Sequence, residues 1–109
     1  DYVRAYKVSV TEKERKKLIE HFKSFENGEF VKIPNAQNNF DILCDTLIKD
    51  FGSYKAVSEG YFALYNTISD KLKPKLNFDT LANFDFDFYR ALIFDVDTNT
   101  LYIYDYSAT

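Results

Sequence analysis

Phe84-Asp85-Phe86-Asp87-Phe88-Tyr89-Arg90-Ala91-Leu92-Ile93-Phe94-Asp95-Val96-Asp97, then Thr98-Asn99-Thr100 and Leu101-Tyr102-Ile103-Tyr104-Asp105-Tyr106, is the stretch whose reading decides the fold. Apolar side chains hold positions 84, 86, 88, 92, 94 and 96, while Asp85, Asp87, Asp95 and Asp97 stand between them. A period of two belongs to a strand with one face buried. Asp97 to Thr100 is turn chemistry, and the alternation resumes from Leu101. The two runs predict a C-terminal β-hairpin with Thr98 and Asn99 as its loop. In that register Val96 pairs with Leu101 and Phe94 with Ile103 on one face, and Asp95 faces Tyr102 and Ile93 faces Tyr104 on the other.

Upstream, Tyr6 to Val10 suits a short strand, and Thr11-Glu12-Lys13-Glu14 has the form of a capping box that starts a helix. Leu18, Ile19, Phe22 and Phe25 recur at helical spacing, leaving Lys13, Arg15, Lys16, Lys17 and Lys23 outward, and Asn27-Gly28 ends the helix. Glu29 to Ile33 reads as a second strand, stopped by Pro34 and the amide-rich loop Asn35 to Asn39. Phe40, Leu43, Cys44, Leu47, Ile48 and Phe51 make the stripe of a second helix ending at Gly52. Val57, Tyr61, Leu64, Tyr65, Ile68 and Leu72 make the stripe of a third, stopped at Lys73-Pro74. The expected architecture is a single α+β domain over residues 1–109, in the order β-α-β-α-α-β-β, with helices packed on one face of a mainly antiparallel sheet.

The 109 residues, 46% hydrophobic and 28% charged, suit one globular unit, and eleven Phe and nine Tyr argue against disorder. No apolar run is long enough to span a bilayer. Cys44 is the single cysteine, so no internal disulfide forms, and a reducing, cytoplasmic setting is the expectation. The charge is uneven. Residues 1–75 carry thirteen Lys or Arg against eleven Asp or Glu, whereas residues 76–109 carry six Asp against Arg90 alone. An acidic, Tyr-rich C-terminal third repels nucleic acid and attracts a basic protein surface.

Candidate chemistry is sparse. Asp85 and Asp87, two apart on a strand, point the same way and could hold a divalent metal for a nuclease or nucleotidyltransferase, with Arg90 the nearest cation in sequence. His21 and Cys44 are each single, and one His with one Cys cannot make a structural zinc site. The cluster Lys13, Arg15, Lys16 and Lys17 is interleaved with Glu12, Glu14 and Glu20 on a chain of pI about 5.1, which suits a solvated helix face rather than a nucleic-acid site.

Tyr102, Tyr104 and Tyr106 share one face of the last strand, beside Ile93 and Asp95, with Tyr89 on the same side of its neighbour. If Leu101 and Ile103 meet the helices, this face is exposed. Large rings supply contact area and carboxylates supply steering, so Asp95, Tyr102, Tyr104, Tyr106, Tyr89 and Ile93 are the expected partner-binding residues.

Glu59-Gly60-Tyr61-Phe62-Ala63-Leu64-Tyr65-Asn66-Thr67-Ile68 resembles the recognition helix of the barstar family, with Ala63, Leu64 and Ile68 matching in place. Phe62 and Asn66 stand where that family has its ribonuclease-binding acids, and Tyr65 stands at its Trp position. The resemblance implies a helix here and an inhibitor's role. The expected function is that of a non-enzymatic bacterial immunity protein or antitoxin, without cofactor, that neutralises a basic toxin such as a nuclease. The alternatives are a phage-encoded inhibitor of a host defence complex, and the metal-dependent enzyme built on Asp85 and Asp87.

Overall fold

The computed structural model describes residues 2–24, 30–34, 57–66 and 88–108. Along the chain these form β1 (Tyr2–Ser9), α1 (Glu12–Lys23), β2 (Phe30–Ile33), β3 (Gly60–Asn66), β4 (Phe88–Asp95) and β5 (Thr100–Ser107). The five strands make one sheet in the order β1-β5-β4-β3-β2, with every neighbouring pair antiparallel. β2 to β5 therefore follow one another as a meander, and β1 lies along β5 so that the first two strands hold opposite edges. The described residues are α+β with the sheet dominant. Among them no helix is long and apolar enough to cross a membrane.

α1 starts where the capping box places it. The Thr11 hydroxyl accepts from the Glu14 N–H at 3.2 Å and donates to Glu14 Oε1 at 2.6 Å, with Thr11 itself in the extended region. Glu12 and Glu14 lie in the first turn and Lys23 in the last, the arrangement that suits the helix dipole. The helix buries Phe22, and packs the half-buried Leu18 and Ile19, against the sheet face carrying Tyr61, Ala63, Leu92 and Phe94, with Val10, Val96, Leu101 and Ile103 at its margin. Phe22 is wholly enclosed, its ring 5.8 Å from that of Tyr61. Lys13, Lys16, Lys17 and Lys23 are exposed as expected.

Three expectations change. The third helix, expected on the Val57 to Leu72 stripe, is not formed over Gly60–Asn66, which is β3. The barstar-like helix is thereby excluded. Tyr61 and Ala63 face α1 while Phe62 and Leu64 face the other way, and all four are buried. A central strand buried on both faces reads as an unbroken apolar run, which spacing cannot tell from a helix. Gly60 is what lets this strand approach β4: a Cβ there would overlap the Phe94 carbonyl oxygen and lie 3.1 Å from Val57 Cγ1. The second helix, from Phe40 to Gly52, lies outside the described residues.

The hairpin forms, but two residues out of the expected register. Asp95 pairs with Thr100, Phe94 with Leu101, Ile93 with Tyr102 and Ala91 with Tyr104. The loop is thus Val96 to Asn99 rather than Thr98 and Asn99 alone. Its closing chemistry is local: the Asp97 N–H donates to Asp95 Oδ1 at 3.0 Å, and Asn99 takes a left-handed φ of 51°. Tertiary contacts complete it. Arg15 donates to the Val96 carbonyl and to Asn99 Oδ1, while Asn99 Nδ2 donates to Glu12 Oε1. A slip of two preserves which side chains share a face, so the face assignment survives. β1 is also longer than expected, running from Tyr2 to Ser9 instead of Tyr6 to Val10.

Candidate protein-interaction surface

The expected partner face assembles as the alternation requires, and it is buried. Tyr89 stands opposite Tyr106, Ala91 opposite Tyr104, Ile93 opposite Tyr102 and Asp95 opposite Thr100, all on the side of the sheet away from α1. Tyr89 stacks on Tyr104 at 6.1 Å and on Tyr106 at 5.3 Å between centroids. Tyr89, Ile93, Asp95, Tyr102 and Tyr104 are all buried, together with Phe62 and Leu64 of β3, and Tyr106 is half-buried. The expectation that this face is open is therefore corrected. Alternation shows which residues lie together but carries no information on whether the second face of a sheet is covered, and here the Tyr side is as apolar as the α1 side.

The carboxylates are dispersed too. Asp95 is buried at the end of β4, and Asp105 is held on the α1 side by Arg90, with Nε–Oδ1 at 2.5 Å and Nη2–Oδ2 at 2.8 Å. Asp97 is exposed and accepts from the Ser58 hydroxyl at 2.8 Å. They do not form one acidic docking patch. His21 is exposed on α1. Cys44, Asp85, Asp87 and the loop Asn35 to Asn39 lie outside the described residues.

What the structure leaves open is β1. All eight of its residues are exposed, and Tyr2, Val3, Tyr6 and Val8 each show 42–44% of their surface to solvent. Tyr2, Arg4, Tyr6 and Val8 lie on the α1 side of the sheet, opposite Ser107, Asp105, Ile103 and Leu101. Val3, Ala5, Lys7 and Ser9 lie on the Tyr side. Arg4 rests its guanidinium over the Tyr2 ring at 4.6 Å, and Lys7 Nζ lies 5.9 Å from the centroid of Tyr102.

The backbone phase of this edge follows from two hydrogen bonds. Only alternate pairs of an antiparallel ladder exchange N–H···O bonds. The Val10 N–H donates to the Asn99 carbonyl at 2.8 Å. Continued in register, Tyr2, Arg4, Tyr6 and Val8 bond to β5. The Val96 N–H donates to the Glu59 carbonyl, and carrying that phase through β3, β4 and β5 gives the same answer. Val3, Ala5, Lys7 and Ser9 therefore point their N–H and C=O groups away from β5, and among the described residues no strand pairs with them.

Sequence reasoning saw only the second half of this strand and assigned it no role. The available signal was Tyr2-Val3-Arg4-Ala5-Tyr6-Lys7-Val8-Ser9, a run with aromatic and β-branched residues, neither Gly nor Pro, and two cations of the kind found on sheet edges. A concavity of about 440 Å³ lies along α1 over Ile19, but its walls mix Glu12 and Glu20 with Arg15, Lys16 and Lys23. Set against known proteins, the chain matches no family model, no characterised protein and no solved structure.

Proposed function

We propose that this chain is a non-enzymatic binding protein, an immunity protein or antitoxin that restrains a toxin by protein contact, and that β1 is its docking element. The observation that carries the reading is the eight-residue edge strand exposed at every position, with four large apolar side chains and four outward backbone pairs. Long, regular, apolar edges invite a further strand, and proteins ordinarily blunt them by shortness, bulges, Pro or charged side chains, of which β1 has only the two cations Arg4 and Lys7. Here the register with β5 runs unbroken from Tyr2 to Ser9. Strand addition combines main-chain hydrogen bonds for affinity with alternate side chains for specificity. A neutralising protein needs such a preformed surface and no chemistry of its own.

The test is affinity capture from the source cell with the wild-type chain and with Ala5→Pro. The Ala5 N–H faces outward, so proline there removes a docking donor while leaving the β1·β5 ladder intact. A partner retained by the wild type, lost with the variant, and toxic when expressed without this chain supports the reading. A partner held equally by both proteins overturns it.

A further inference from the structure

We infer that the segment received by β1 is an extended acidic strand, lying antiparallel to β1 with a carboxylate opposite Arg4. This rests on the reading of β1 as the docking element and names the chemistry of what it takes.

The outward backbone pairs belong to Val3, Ala5, Lys7 and Ser9, so an added antiparallel strand places Tyr2, Arg4, Tyr6 and Val8 at its non-hydrogen-bonded positions. There cross-strand Cα atoms approach to about 4.5 Å and side chains meet most closely. The opposite edge of β1 shows what these residues accept: β5 sets Asp105 against Arg4, Ile103 against Tyr6, Leu101 against Val8 and Tyr102 against Lys7. Asp105 is taken by both guanidinium contacts from Arg90. Arg4 rests on the Tyr2 ring and stays exposed. Tyr2–Ser9 carries two cations and no carboxylate. A strand repeating the alternation of β5, with an acid opposite Arg4 and apolar residues opposite Tyr6 and Val8, supplies the missing counter-charge on the same sheet face. A second copy of β1 does not, because Tyr2–Ser9 offers no carboxylate to set opposite Arg4.

The probe is a labelled eight-residue peptide with the Thr100–Ser107 sequence, and the same peptide with Asp105→Lys, titrated against the full chain by fluorescence anisotropy. Facing opposite charges contribute modestly, so the wild type is expected to prefer the acidic peptide by roughly five-fold. Arg4→Glu is expected to invert that preference, and Ala5→Pro to bind neither peptide. Equal binding of the two peptides, or no inversion with Arg4→Glu, overturns the acidic-strand inference. A wild-type dimer in sedimentation that disperses with Ala5→Pro makes a second copy the occupant, which overturns the inference but leaves β1 as a docking strand. Failure of both peptides to bind, with capture of the cellular partner unchanged by Ala5→Pro, removes the docking reading itself. If Ala5→Pro does not fold, the charge inversion with Arg4→Glu decides alone.

Discussion

β1 and β4 both flank β5, both are eight residues long, and both pair with it antiparallel without a bulge. β1 is exposed throughout, while β4 is buried from Ala91 to Asp95. Composition separates them little, since β1 has Tyr2, Val3, Ala5, Tyr6 and Val8 against Phe88, Tyr89, Ala91, Leu92, Ile93 and Phe94 in β4. Position does. β4 has a strand on each side and covered side chains on both faces, whereas β1, among the described residues, has β5 on one side only. Backbone pairing alone therefore places an apolar strand in the sheet without burying it. The apolar surface left on β1 is what a partner strand would remove from water.

The largest expected effect lies in the covered region. Phe94 is fully enclosed between α1, β3 and β5, so Phe94→Ala should cost about 3–5 kcal/mol in urea unfolding. A loss below about 1 kcal/mol would break the contrast between the strands. Gly60→Ala comes next: a Cβ that overlaps the Phe94 carbonyl must push β3 off β4, for about 1–3 kcal/mol. An unchanged melting curve would show that β3 does not approach β4 so closely.

Two prolines sharpen the comparison within β1. Tyr6→Pro removes a donor to β5 and should cost about 1–3 kcal/mol, whereas Ala5→Pro removes an outward donor and should cost much less. Equal losses would mean that the ladder phase is wrong. The smallest effect belongs to Val8→Thr, expected within about 0.5 kcal/mol of wild-type stability while weakening partner binding, as thermal melts and a binding titration would show.

Much of the local structure was legible in the sequence. The capping box at Thr11 and Glu14, the stripe of Leu18, Ile19 and Phe22, and the hairpin with Leu101 and Ile103 toward the helix all rest on short-range chemistry or strict periodicity. Gly60 to Asn66 was not legible as a strand, because Tyr61-Phe62-Ala63-Leu64 satisfies helical spacing as readily as two-faced burial. The two-residue register shift depends on Arg15 and Glu12 gripping Asn99, a contact across more than eighty positions. The site was missed for the same reason. Tyr102 and Tyr104 look like Tyr2 and Tyr6 in sequence, and only the strand order makes the first pair interior and the second an edge.

The most direct measurement of the central claim is residue-resolved amide hydrogen exchange of the chain, free and bound to its captured partner. In the free protein the amides of Arg4, Tyr6 and Val8, bonded to β5, should exchange slowly while those of Val3, Ala5, Lys7 and Ser9 exchange fast, because exchange reports hydrogen-bond protection. On binding, the second set should become protected and the first should change little. Val3, Ala5, Lys7 and Ser9 amides that exchange as fast in the complex as in the free chain would contradict β1 as the docking strand.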